Sequence, residues 1–288
     1  MALHPLIAEA LSTLVHPDVP LDPETLRAAE ESRPRSVSIE LPSVEDREVA
    51  GVPVRVYRPE DAAETLVYFH GGAFFLGSVD THDHVARALA KETGRTVVSV
   101  GYRLAPEHEF PAGLNDCSAV VRAVSTSGPV AVAGDSSGGN FVAAVAAMAH
   151  DDGQFDVSHQ VLFYPSLDLD FDSDRYPSRR DNAVGYGLET AGLRPFNAFY
   201  LDSGADPADP RVSPIRRADL AGLPPTLIIT GEFDPLRDEA ELYGQRLAAA
   251  GVPTTVSRYL GAGHGFVEHF SWIPDYYRAF AETAEFLA

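Results

Sequence analysis

A serine set between glycines at the end of an apolar run is the residue of this chain best placed to act as a nucleophile. Gly134-Asp135-Ser136-Ser137-Gly138 follows Pro129-Val130-Ala131-Val132-Ala133, a run that reads as a buried strand. On a sharp strand-to-helix turn the backbone is strained, and Gly134 and Gly138, having no Cβ, let strand and helix approach while the Ser136 hydroxyl stays exposed. The alanine-rich stretch from Gly139 to Met148 continues as a helix whose unpaired first amides and dipole favour negative charge beside that serine. A serine hydroxyl attacks poorly at neutral pH. It needs a base within hydrogen-bond reach and a carboxylate to hold that base in the right tautomer.

Attack on an acyl carbonyl builds charge on its oxygen, which calls for preorganised donors. A second apolar strand, Thr65-Leu66-Val67-Tyr68-Phe69, runs straight into His70-Gly71-Gly72-Ala73-Phe74. Consecutive glycines after a strand let backbone amides turn toward a ligand, and the amides of Gly71, Gly72 and Ser137 are the expected oxyanion hole.

Of the ten histidines, His264 has the setting of a base: it lies in the flexible loop Gly261-Ala262-Gly263-His264-Gly265, after an expected strand. His269 is the rival, but it sits among Glu268, Phe270 and Trp272 at the entry to a terminal helix. Four carboxylates, Glu232, Asp234, Asp238 and Glu239, follow the apolar strand Thr226-Leu227-Ile228-Ile229-Thr230. Catalytic side chains in parallel sheets gather beyond the carboxyl ends of strands, so all four stand near enough to orient the base. Asp238 and Glu239 would fall in or after the first turn of a helix opened by Pro235, where stabilising the helix dipole is their ordinary role.

With these stretches, three further blocks resemble a bacterial member of the hormone-sensitive lipase family of α/β-hydrolase esterases. They are Tyr102-Arg103-Leu104-Ala105-Pro106-Glu107-His108 with Phe110-Pro111-Ala112, then Asp234-Pro235-Leu236-Arg237-Asp238, then His264-Gly265-Phe266. The likeness runs over residues 70–266 and departs at Ala73, where a third glycine is usual, and at Ser137, where alanine is common. Both substitutions keep the backbone amide. The resemblance implies a catalytic triad of Ser136, Asp234 and His264, an acyl-enzyme route, no metal or organic cofactor, and short to medium acyl esters as substrates. It further implies Phe74, Phe75, Phe266 and the aromatics of a helical cap as substrate-pocket residues, Asp135 as a structural hydrogen bonder, and the Tyr102 block as packing beneath the oxyanion strand. The same machinery would cleave an amide, as in a deacetylase of a small metabolite. A non-catalytic small-molecule binder on this fold would typically have lost part of the triad.

The elements that must position these groups alternate strand and helix. Strands are expected at 37–41, 52–57, 66–69, 97–101, 130–133, 161–164, 227–230 and 255–259, giving a mostly parallel eight-stranded sheet with helices on both faces. Ahead of it, Leu3, Ile7, Leu11 and Leu14 fall at helical spacing, and Asp22-Pro23-Glu24 reads as the start of a second helix. Residues 166–210 carry many prolines and aromatics, among them Phe171, Tyr176, Tyr186, Phe196, Phe199 and Tyr200. The expected organisation is N-terminal cap helices over 1–36, a catalytic core over 37–165 and 211–288, and a second cap segment over 166–210.

Composition bounds the partners. The chain has 288 residues, 45% of them hydrophobic, enough to bury a core without disulfide staples, and its lone cysteine, Cys117, has no intramolecular partner. A net charge of −20 with Lys91 as the only lysine argues against binding a phosphate backbone. No long apolar stretch or basic leader is seen, so a soluble cytoplasmic protein, monomer or homodimer, is expected to act on a small ester without membrane or nucleic acid. His82, Asp83 and His84 do not share a helix face, so no metal is expected there.

Overall fold

The computed structural model describes residues 2–13, 22–33, 39–171 and 174–288. Eight strands form one sheet: β1 (Ser43–Val49), β2 (Val52–Arg58), β3 (Thr65–Phe69), β4 (Thr96–Val100), β5 (Val130–Asp135), β6 (Val157–Phe163), β7 (Thr226–Phe233) and β8 (Thr254–Gly263). Their spatial order is β1-β2-β4-β3-β5-β6-β7-β8. β2 runs antiparallel to both its neighbours, and from β4 onward all pairings are parallel.

The described helices are α1 (Pro5–Thr13), α2 (Pro23–Glu31), α3 (Asp83–Thr93), α4 (Ala112–Val124), α5 (Ser137–Asp152), α6 (Pro177–Asp181), α7 (Thr190–Leu201), α8 (Arg237–Ala249), α9 (Phe266–His269) and α10 (Pro274–Leu287). Side chains alternate across a strand, so β3 sends Leu66 and Tyr68 to one layer and Val67 and Phe69 to the other. The first layer is closed by Val85 and Leu89 of α3 and Ala279 and Phe280 of α10. The second is closed by Leu114 and Val121 of α4, Phe141 and Val145 of α5, and Tyr243 and Leu247 of α8. Burial on both faces explains why the central strands are continuous apolar runs.

The first strand is displaced from the expected one. Of the expected strand at 37–41, positions 37 and 38 lie outside the described residues and 39–41 are not in a strand; the edge strand is Ser43–Val49. That segment, Ser43-Val44-Glu45-Asp46-Arg47-Glu48-Val49, is mostly exposed and charged and carries no buried face for a hydrophobic pattern to report. Its signature is the turn instead: Ala50 and Gly51 both have positive φ, 52° and 77°, as a tight two-residue hairpin requires. Before the sheet, Asp22 caps α2 through Oδ2, which accepts from the Thr25 amide at 2.9 Å. Leu14 of the expected first apolar stripe lies outside the described residues, whereas Ile7 is buried in the α3/α10 layer.

Candidate active site

Ser136 sits between β5 and α5 with φ 52° and ψ −117°, a conformation rare for a residue with a side chain. Its surroundings hold it there. The Ser136 amide donates to the Phe163 carbonyl at 2.9 Å, and its carbonyl accepts from Ser166 at 3.1 Å and from Asn140 at 3.2 Å. The flanking glycines are required by close approach: a Cβ on Gly134 would stand 2.5 Å from the Gly138 carbonyl oxygen, and one on Gly138 would overlap the Phe69 carbonyl. The elbow therefore presses on the end of β3, where the glycine turn begins.

His264 Nε2 lies 3.0 Å from Ser136 Oγ, and His264 Nδ1 lies 2.8 Å from Asp234 Oδ2. Asp234 is fully buried, and its other oxygen accepts from the Leu236 amide at 2.8 Å. Burial pulls the His264 pKa down, but the charge and hydrogen bond of Asp234 outweigh it, with Asp135 and Glu268 adding, so it stands above the ordinary imidazole value. The other three carboxylates at the end of β7 and just beyond it are engaged elsewhere. Glu232 accepts from the Gly261 amide at 2.8 Å, Asp238 from the Ser178 amide at 2.7 Å, and Glu239 from Leu167 at 2.7 Å while pairing with buried Arg179. His269, the rival base, pairs with Glu268 at 3.6 Å and meets Arg33 at 3.3 Å.

The glycine turn departs from expectation in one respect. The Gly71 amide donates to Asp135 Oδ1 at 3.0 Å, so it is already committed and cannot face an oxyanion. Gly72, Ala73 and Phe74 follow with φ 117°, 50° and 67°. Among the described residues the amides of Gly72, Ala73 and Ser137 make no hydrogen bond, and Ala73 is one that the sequence reading did not consider. The Phe74 amide donates to Ser137 Oγ at 3.3 Å.

Of the aromatic positions read as pocket wall, Phe74, Phe75 and Phe266 are buried in the core. Phe74 stacks on Tyr200 at 4.0 Å and meets Phe141 edge-on, and Phe75 packs against Phe196 and Phe199. Phe266 is fully buried against Tyr164, Tyr259 and Tyr276, so it supports the loop that carries His264 from below. In the Tyr102 block, the Tyr102 hydroxyl donates to the His70 carbonyl at 2.8 Å and its ring stacks on His70, which braces the turn's first residue.

The sequence profile of the α/β-hydrolase fold matches residues 66–268. The chain belongs to the α/β-hydrolase fold family. It is 41% identical over 238 residues to the carboxylesterase NlhH of Mycobacterium tuberculosis, covering 77% of this chain and 73% of that protein. It is 34% identical over 278 residues to an arylesterase of Saccharolobus solfataricus, covering 91% of this chain and 83% of that one. Among solved structures, a hyperthermophilic esterase from the archaeon Pyrobaculum calidifontis superposes with a TM-score of 0.89 at 40% identity, over 99% of this chain and 97% of that one. Within the α/β hydrolases the protein is a carboxylesterase of the hormone-sensitive lipase family.

Two further features of this α/β hydrolase bear on its site. His82, Asp135 and Glu268, distant in sequence, bring one ligand atom each to within 4.8 Å of one another, the only such group of metal-capable side chains among the described residues. His84 lies apart from this group's ligand atoms, its Nε2 donating to the Glu268 carbonyl at 2.7 Å. A surface cavity of about 480 Å³ is lined by Arg122, Phe155 and Arg217, and one of about 270 Å³ by Leu3, Leu11 and Glu189; neither includes Ser136. No described helix is long and apolar enough to cross a membrane.

Proposed function

We propose that the esterase works through a covalent acyl-enzyme formed on Ser136. Ser136 Oγ attacks the ester carbonyl, His264 Nε2 takes the hydroxyl proton and returns it to the leaving alcohol, and Asp234 holds the imidazole by its Nδ1–H. Water then repeats the sequence and releases the acid. The observation that carries this reading is the continuous hydrogen-bonded line from Asp234 through His264 to Ser136, at 2.8 and 3.0 Å. The amides of Gly72, Ala73 and Ser137 serve as oxyanion donors, being unpaired around a turn that abuts the elbow. No residue of this route requires a metal or organic cofactor.

Residues 1–36 and 166–210 act as a two-part cap over a core of 37–165 and 211–288. Supporting this, Arg27 of α2 donates to the carbonyls of Phe75 and Ala105 at 2.8 and 2.6 Å, and the Phe110 amide donates to the Tyr200 carbonyl of α7 at 3.0 Å. α2 thus grips both Phe75, just beyond the glycine turn, and the 102–112 block, and α7 grips that same block. The substrates are small esters of short to medium acyl chains. A cytoplasmic monomer or homodimer with no nucleic acid or membrane partner accords with the net charge of −20 and with Cys117 being buried and unbridged.

The test is Ser136→Ala against a graded series of p-nitrophenyl esters, with fluorophosphonate labelling of the parent enzyme. Turnover falls by about six orders of magnitude, as loss of a serine nucleophile does in unrelated hydrolases. Labelling at any residue other than Ser136, or substantial residual turnover, removes this assignment. Faster cleavage of an anilide than of the matched ester would move the reading to an amide-cleaving enzyme.

A further inference from the structure

His82, the residue before α3, is 2% exposed, and its Nε2 lies 3.6 Å from Asp135 Oδ2 and 3.5 Å from Glu268 Oε2 without a hydrogen bond of ordinary geometry. Its Nδ1 is occupied by Thr81 Oγ1 at 2.8 Å. Both carboxylates belong to machinery around the nucleophile. Asp135 directly precedes Ser136, and its Oδ1 accepts from the Gly71 amide at 3.0 Å and from the Tyr68 hydroxyl at 2.5 Å. Glu268 lies in α9, four residues after His264, and its carbonyl is held by His84.

Two carboxylates converging on one buried point would repel each other and be poorly solvated without a cation between them. His82 is the group that stands there. The neighbouring imidazoles do not replace it: burial holds His84 below its ordinary value, and burial with the His82 charge holds His70 down at about 3. Of the two carboxylates His269 reaches only Glu268, at 3.6 Å, and Glu30 also interacts with both His269 and Glu268. Although burial opposes it, the pull of Glu268 and Asp135 keeps the His82 pKa well above the ordinary imidazole value.

We propose that His82 is a positioning residue: as an imidazolium clamped between Asp135 and Glu268, it fixes the glycine turn and the nucleophile elbow against the loop that carries the base. Through Asp135 it holds Gly71 and so aims the amides that follow. Through Glu268 it holds α9 and so sets the reach from His264 to Ser136. It touches no substrate. The inference rests on Ser136 and His264 being nucleophile and base.

The experiment is a double-mutant cycle of His82→Gln and Glu268→Gln, with kcat and KM for p-nitrophenyl butyrate, melting temperature, and metal content of the purified parent. His82→Gln lowers kcat by roughly 10- to 100-fold with KM within about threefold, because positioning acts on the transition state more than on binding. Adding Glu268→Gln to it raises kcat again by about fivefold or more, since one of the two unneutralised carboxylates is gone; that sign of coupling is foreign to simple packing. Glu268→Gln alone, at a carboxylate 14% exposed, folds and loses roughly three- to tenfold in kcat, so the proposal is decided even if His82→Gln does not fold. Additive losses, an unchanged kcat in Glu268→Gln, or losses confined to melting temperature would overturn it. So would a stoichiometric divalent metal in the parent enzyme, which would make His82 Nε2 a ligand. Fluorophosphonate labelling of the parent reports separately on Ser136, so failure of the catalytic reading is not mistaken for failure of the clamp.

Discussion

The Gly71 amide donates to Asp135 Oδ1 over 3.0 Å, joining the first glycine of the turn after β3 to the residue before Ser136. One consequence is that the proposed oxyanion donors of the turn are Gly72 and Ala73, one residue on from the expected Gly71 and Gly72. Another is that the turn and the elbow move as one piece, since a Cβ on Gly71 would overlap Asp135 itself.

Gly72→Ala tests the shifted assignment. At φ 117°, and with the Leu76 carbonyl occupying the space of a Cβ, the turn must reorganise and withdraw its amides. The expected loss in kcat is about 10²- to 10³-fold, the usual effect of removing one oxyanion donor. Ala73→Gly keeps the amide at a φ of 50° that glycine adopts freely, and stays within about threefold of the parent. Steady-state kinetics on one ester compare the two, and equal losses would return the donor role to other groups.

Asp234→Asn preserves shape but offers His264 Nδ1 the wrong partner, and the analogous change in a serine protease costs about four decades in kcat. Asp238→Asn disturbs a different contact, the 2.7 Å bond from the Ser178 amide that docks α6 on α8. Its effect is expected in melting temperature, with kcat within roughly tenfold. A reversal of the two kinetic losses would move the acid from Asp234 to Asp238.

The rate should carry an acid limb set by His264, which accepts a proton only when Nε2 is free. Because Asp234 keeps its pKa above the ordinary value of about 6.5, kcat/KM in the parent falls as pH drops through a value on the alkaline side of 6.5. In Asp234→Asn the limb moves to lower pH. Stability has the matching sign: the folded pKa is raised, so the His264–Asp234 interaction stabilises fully below about 6.5 and is lost as pH rises through the folded pKa. Profiles of kcat/KM and of melting temperature against pH for both proteins check the two signs, and a limb that does not move would dissociate Asp234 from His264.

Arg27→Ala removes the bonds from α2 to the Phe75 and Ala105 carbonyls and the pair with Glu107. If α2 is part of a cap, KM for a longer acyl ester rises by roughly three- to tenfold while kcat for an acetate ester stays within about twofold. Truncation of residues 1–32 has the larger effect and also lowers melting temperature, because it takes Ile7 out of the core. A truncated enzyme whose mass in solution changes while its ranking of acyl chain lengths does not would make these helices an oligomer contact.

What the sequence by itself determined follows from short-range physics. Gly134 and Gly138 flank Ser136 because nothing with a Cβ fits there, and the central strands are legible because burial on both faces leaves an unbroken apolar run. β1 escaped notice for the opposite reason: its middle four residues, Glu45 to Glu48, face water, and the Ala50–Gly51 turn is what marks it. The tertiary structure alone decided that Gly71 is spent on Asp135 and that Phe266 faces Tyr164 and Tyr276 as core, whereas Asp234, the carboxylate that meets His264, is the one the family resemblance implies. It also brought His82 between Asp135 and Glu268, three residues that no local spacing relates. Local pattern records what a residue demands of its neighbours in the chain; a hydrogen bond or charge pair between distant strands and loops exists only once the sheet has brought them together.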